Sequence, residues 1–188
     1  YIDQDLTYSM VAGYKDTLDN VLLVDAGDHI QGTAYGSMDD GATIIELMNA
    51  AGYDLATLGN HEFDYGMEGA MNAMEWADFT YVSCNFYHEK DGVRGENVLD
   101  SYKVFDVNGV KIAFQDENGK YIYGIAGGTG GKALYADVQK AIDAASKEAD
   151  YVIGLGHLGV DESSKPWTSK EVIANTTGLD AFIDGHSQ

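Results

Sequence analysis

The sequence predicts an α/β fold in which helices cover a largely parallel sheet. Three observations carry that prediction. Four short apolar runs each end at a glycine followed by polar side chains: VLLVDAGDH (21–29), DLATLGNHE (54–62), YVIGLGHLG (151–159) and AFIDGHSQ (181–188). Runs of this kind, rich in Val, Ile and Leu and bounded by glycine, suit strands buried on both faces. Segments with helical periodicity are interspersed with them. Strand and helix in alternation is the pattern of a sheet whose crossovers are helices.

In chain order, the run 21–29 supplies the first strand. GATIIELMNAAGYD (41–54) places Ile44, Ile45, Leu47 and Met48 on one stripe and ends at Gly52, which predicts a helix. The second strand, 54–62, is followed by GMEGAMNAMEWAD (66–78), where Met67, Met71 and Met74 recur at helical spacing beside Ala70. Methionine at that spacing is read as core filling. TYVSCNFY (80–87) alternates like a strand and holds Cys84, read as a small buried hydrophobe. YKVFDVNGVKIAF (102–114) is two alternating runs joined by Asn108-Gly109, a β-hairpin with a type I′ turn, so the sheet is expected to be mixed. ALYADVQKAIDAASKEAD (133–150) sets Leu134, Val138, Ile142 and Ala145 in helical register. TSKEVIANTTG (168–178) opens with a Thr or Ser cap and Glu171, a capping-box signature. The glycine cluster GIAGGTGGK (124–132) fails the phosphate-loop pattern, because Ala126 and Ala133 stand where glycine and Ser or Thr are needed. It is read as a mobile loop before a helix.

Composition limits the function. The 188 residues suffice for one sizeable domain, and 45% apolar content is a globular value. No run approaches the roughly 18 apolar residues of a membrane span. A formal charge of −20 repels phosphate, which argues against nucleic acid polymers as partners. A small anionic substrate needs a local cation to reverse that field, and metal ions are the obvious source. A single cysteine excludes an intrachain disulfide framework and a thiolate-based zinc site. The chain opens at Tyr1, not Met, without a signal-peptide pattern, so it is expected to be a piece of a longer precursor.

In open α/β sheets, ligands bind beyond the carboxyl ends of the strands. Asp25, Asp28 and His29, then Asn60, His61, Glu62 and Asp64, then His157, then His186 and Gln188 would converge there. Four of the five histidines follow such a run, and His88 is set aside as a solvated loop residue. Imidazole, carboxylate and amide oxygen without thiolate suit Zn²⁺, Mn²⁺, Co²⁺ or Fe rather than Ca²⁺ alone, with Mg²⁺ and Ca²⁺ left as alternatives. Gly27, Gly59, Gly156 and Gly185 each precede a candidate ligand, where a residue without Cβ allows close approach.

AGD (26–28), GNHEFDYG (59–66), GHLG (156–159) and GHSQ (185–188) together resemble the motifs of the calcineurin-like metallophosphoesterases, and most closely the 5′-nucleotidase family. The resemblance covers nearly the whole chain. It implies an αββα sandwich of mixed sheets covered by helices. It implies two divalent ions and in-line attack by metal-activated hydroxide on a nucleotide or other small phosphate ester. By motif, Asp28 resembles the carboxylate that bridges both ions. Asn60, His157 and His186 resemble the other ligands of one ion, and Gln188 a ligand of the second. His61 resembles the histidine that stabilises the transferring phosphoryl group or protonates the leaving oxygen, and Asp64 the acid that orients and charges it. Glu62 is expected behind the ligands, and Asp25 and His29 are expected to be structural. The family setting implies a secreted or surface-held protein.

The sequence departs from that pattern in three places. The family's Asp-x-His on an upstream strand has no counterpart in YIDQDLTYSMVAGYKD, where neither Asp3 nor Asp5 fits. One ion site is therefore expected to be complete and the other poor. KIAF passes directly into QDENGKYIYG without the family's glycine- and proline-bearing loop. The nucleoside-binding C-terminal domain is expected to lie outside this sequence. Two other readings remain at this level: a 2′,3′-cyclic-nucleotide phosphodiesterase or UDP-sugar hydrolase, and an inactive metal-binding module of the same fold.

Overall fold

A computed structural model describes residues 6–118 and 130–187. The chain begins with helix α1 (Tyr8–Lys15), capped by the Thr7 hydroxyl, which accepts from Met10 N. Strand β1 (Val24–Asp25), helices α2 (Ala34–Met38) and α3 (Ala42–Ala51), β2 (Leu55–Ala56), α4 (Gly66–Trp76) and β3 (Thr80–Tyr81) follow. β1, β2 and β3 make one parallel sheet in that order. β4 (Tyr87–Lys90) and β5 (Val93–Asn97) form a separate antiparallel hairpin. The second sheet runs β6 (Tyr102–Val107), β7 (Val110–Asn118), β8 (Tyr151–His157) and β9 (Ala181–Asp184). Its β6–β7 pair is antiparallel and the rest parallel. Helix α5 (Lys132–Ala145) leads into β8, and α6 (Ser169–Asn175) into β9.

The layers follow from which side chains meet. Leu55 of β2 packs with Phe114 of β7 and Leu155 of β8, with Val24, Ile112 and Ile153 alongside; this apolar layer lies between the sheets. On the outer face of the first sheet, Ala56 and Tyr81 meet Ile44, Ile45 and Met48 of α3 and Ala73 of α4. On the outer face of the second, Ala113 and Val152 meet Ala145 of α5, and Leu134, Val138 and Ile142 pack with Val172 of α6. Along β8, Ile153 and Leu155 face the other sheet while Val152 faces helix. Both faces are dry, which is why that run reads as continuously apolar. The architecture is the expected αββα sandwich covered by helices, with one sheet parallel and the other mixed among the described residues.

Local structure matches much of the reading. Asn108 and Gly109 have φ of 56° and 82°, and Val107 pairs with Val110, as a type I′ turn requires. Thr168 caps α6 by accepting from Glu171 N at 3.3 Å. Gly52 closes α3 in the left-handed region. Other expectations are corrected. In α4 the fully buried residues are Gly69, Ala70 and Ala73; Met67 and Met74 pack half-buried against the same core as expected, while Met71 is 43% exposed. Small residues let α4 lie close to the sheet, and the methionines flank that contact. The stretch 80–87 does not alternate, because Tyr81 to Phe86 are all buried. Cys84 is buried within it. His88 sits in β4, exposed, not in a loop. Helices α1 and α2 and the β4–β5 hairpin were not anticipated. Most of the glycine-cluster loop lies outside the described residues.

Candidate metal centre

The loops after β1, β2, β8 and β9 meet at one end of the sandwich. Close backbone approach makes this possible. A Cβ on Gly59 would overlap the Asp28 carboxylate and lie 2.7 Å from Asp28 N. A Cβ on Gly185 would lie 2.8 Å from both Ala26 O and His157 Nδ1. Glycine is thus required at both positions by contact with the neighbouring loop. Overpacking of this kind costs about 1–3 kcal/mol. Gly59→Ala should therefore displace Asp28. The expected result is a lowered Tm and metal affinity reduced at least about tenfold, read by calorimetric titration with Mn²⁺.

Asp28 turns through a left-handed conformation, φ 65°, which points its carboxylate into the gathering loops. Its Oδ1 accepts from His61 N at 2.8 Å, and its Oδ2 lies 2.8 Å from His157 Nε2. His157 is buried at the end of β8; its Nδ1–H donates to Ala26 O at 2.7 Å. That bond fixes the ring and turns Nε2 toward Asp28. His186 Nδ1 lies 3.3 Å from the same Nε2, and the two rings cross at 75°. One ligand atom from each of Asp28, His157 and His186 lies within 4.8 Å of the others. Burial works against charge on Asp28, but the bonds from His157 and from the His61 amide hold its pKa below the usual carboxylate value. Burial likewise lowers the His157 pKa, and the bond to Asp28 more than reverses that.

These donors fit a divalent cation. They are imidazole and carboxylate, and His157 carries the backbone-carbonyl bond on its outer nitrogen that orients metal-bound histidines. Asn60 opens the short 3₁₀ turn His61–Phe63, directly before the residue whose amide binds Asp28. The structure so brings together Asp28, His157 and His186, with Asn60 adjacent in the chain to the contact. Gln188 lies outside the described residues. His61 Nδ1 lies 2.6 Å from Asp64 Oδ2, and both side chains are about 40% exposed, at 42% and 38%. The hydrogen bond that His61 donates to Asp64 is the main cause of a raised His61 pKa.

Behind the ligands, where the resemblance expects it, lies Glu62. Glu62 is fully buried. Its Oε2 accepts from Asp28 N at 2.7 Å and Gly59 N at 2.5 Å; its Oε1 accepts from His29 N at 2.8 Å and Ile30 N at 3.4 Å. One carboxylate thus satisfies the backbone of both loops of the first sheet. The available signal was a glutamate three residues after a strand-ending glycine. Asp25 and His29 are structural in the same sense: His29 donates Nδ1–H to Asp25 at 2.8 Å and Nε2–H to Tyr81 OH at 2.6 Å. Burial would lower the His29 pKa, but Glu62 and Asp25 lift it to about 9. A raised pKa stabilises the fold fully below the unfolded value near 6.5, and that stability is lost as pH rises through about 9. With metal chelated, urea denaturation should show stability falling across this window, and His29→Gln should remove most of the fall.

Fold and site together define an α/β sandwich protein with a candidate divalent-metal centre at its strand ends. Residues 5–188 match the calcineurin-like phosphoesterase family, and the chain belongs to it. It is 34% identical over 177 residues to a 5′-nucleotidase of Diplobatis ommata, covering 89% of this chain and 29% of that protein. It is 29% identical to the trifunctional nucleotide phosphoesterase of Bacillus subtilis, covering 96% of this chain and 14% of that one. A crystal structure of a calcineurin-like phosphoesterase from Bacillus subtilis superposes with a TM-score of 0.75 at 26% identity, over 95% of this chain and 62% of that chain. The NAD nucleotidase of Haemophilus influenzae shares the fold, with a TM-score of 0.73 at 24% identity over 95% of this chain and 31% of that one. The chain spans under a third of the length of the curated relatives it matches first. No helix among the described residues is long and apolar enough to cross a membrane.

Proposed function

We infer that this chain is the metal-holding part of a phosphohydrolase that releases phosphate from nucleotides, of the 5′-nucleotidase kind. The observation that carries the reading is the cluster of Asp28, His157 and His186 next to a histidine paired with its own carboxylate. The names of the relatives support a nucleotide substrate, since they include 5′-nucleotidases, a nucleotide phosphoesterase and an NAD nucleotidase. Asp28, Asn60, His157 and His186 would hold one ion, and Asp28 with Gln188 a second. Divalent ions there supply Lewis-acid activation of water and neutralise charge on the phosphoryl oxygens.

The chain's own residues do the rest. Asp28 stays ionised because the His61 amide and His157 donate to it. His61 has Nδ1 engaged by Asp64, so Nε2–H is the group that can face substrate. A charged imidazole there binds the transferring phosphoryl group or gives its proton to the leaving oxygen. Its half-exposed position leaves that nitrogen within reach of a ligand. The test is phosphate release from AMP by the full-length protein with Mn²⁺ or Zn²⁺. Release that requires the metal is expected; none with either metal overturns the reading. Parallel assays with 2′,3′-cyclic AMP and a UDP-sugar sort the substrate class.

A further inference from the structure

We propose that Asp184 is a positioning residue that sets the separation of the His157 and His186 imidazoles, an inference that rests on those histidines being metal ligands. Asp184 is the last residue of β9 and pairs in register with Gly156 of β8. By strand alternation it shares a face with Phe182, which packs against the α5–α6 core. That face is apolar, and the sheet itself gains nothing from a carboxylate there. Yet Oδ1 accepts from Leu158 N at 2.9 Å and Gly159 N at 3.2 Å, the two amides that follow His157. Oδ2 is buried with no hydrogen-bond partner among the described residues. A buried carboxylate with an unsatisfied oxygen is a destabilising feature that calls for a local reason.

The reason is where those amides lie. The next amide, Val160 N, donates to Ser187 Oγ at 3.0 Å, and Ser187 Oγ donates to Asp161 at 2.6 Å. Three successive amides after His157 are therefore held by side chains from the segment 184–187, which also carries His186. Gly159, with φ 72°, bends the chain so that this can happen, and a Cβ there would lie 2.6 Å from Ser187 Oγ. The two loops of the second sheet are tied by Asp184 much as those of the first are tied by Glu62. The His157 Nε2 to His186 Nδ1 distance of 3.3 Å is the outcome.

The test uses the full-length protein and Co²⁺, whose visible spectrum reports ligand geometry. Asp184→Asn keeps an acceptor oxygen and should bind Co²⁺ within about threefold of wild type, with the wild-type spectrum. Asp184→Ala should weaken Co²⁺ by about 10–100-fold and change the spectrum. Asp184→Leu suits an apolar face and removes the acceptor without leaving a hole; it should fold and show the same loss of affinity and change of spectrum, and it stands in for the alanine variant where that one does not fold. Unchanged affinity and spectrum in the leucine variant would overturn the proposal, as would Asn behaving as badly as Leu. Wild-type protein that binds Co²⁺ but releases no phosphate removes the phosphohydrolase reading, while the Asp184 comparison still decides the positioning role. Wild-type protein that binds no Co²⁺ overturns both.

Discussion

His61→Ala should lower kcat for phosphate release from AMP by about 10²–10⁴, the usual worth of a positioned acid or charge-stabilising donor. On the proposed function KM should move little, because Asp28, His157 and His186 remain and would still hold the ion that would bind the ground-state phosphate. The pairing with Asp64 gives the prediction a second arm. Asp64 raises the His61 pKa through a 2.6 Å hydrogen bond. If the protonated ring is the active form, rate is present below that raised pKa and declines as pH climbs through it. Asp64→Asn should move this alkaline limb to lower pH and reduce kcat at neutral pH. A His61→Ala enzyme with wild-type kcat would remove His61 from the chemistry.

Glu62→Ala should be the most destabilising single change at the site. The carboxylate has no solvent exposure and accepts from four backbone amides. Each buried donor left without an acceptor costs about 1–3 kcal/mol, so the three short bonds alone amount to at least about 3 kcal/mol. Set against a typical total of about 5–15 kcal/mol, that is a large share. Glu62→Gln retains one acceptor oxygen and should lose clearly less. Urea denaturation of both variants checks the order, and a loss below about 1 kcal/mol in the alanine variant would sink the account. Part of the cost should be local. Asp28 N and Gly59 N are two of the freed donors, so the loops that carry Asp28 and Asn60 should loosen first.

Much of this was legible because it depends on local pattern. Within the apolar runs 54–62 and 151–159 lie β2 and β8, whose residues Leu55, Ala56, Val152 and Leu155 are buried, and burial on both faces is what a continuous hydrophobic run encodes. Asn108-Gly109 encodes its own turn. His61, His157 and His186, which closely follow strand-ending glycines, marked the candidate site, because strand ends that gather at one edge of the sheets bring such side chains together. Other features were illegible for physical reasons. Helix α1 buries no residue fully, so its apolar pattern is weak. The β4–β5 hairpin turns at Asp91-Gly92, with φ of 54° and 75°, but its strands are exposed and polar and lack the alternation that would flag them. Methionine spacing in α4 located the core side only in part: Met67 and Met74 pack against it, but its fully buried residues are Gly69, Ala70 and Ala73, since alanine and glycine give closer approach to a sheet than methionine does. Asp184, and Glu62 through Asp28, His29 and Ile30, act on amides of other loops, and such pairings exist only after the chain has folded.

The candidate ligands come from different slabs of the molecule: Asp28 and Asn60 from the three-stranded one, His157 and His186 from the four-stranded one. A cation at that seam would fasten the slabs together like a bolt. Supply of the ion would then govern how tightly the molecule stays shut, adding about 2.7 kcal/mol at a hundredfold excess over Kd. Scarcity of metal would weaken the scaffold as well as silence the chemistry, so the stripped protein should be the form that proteases and heat remove first.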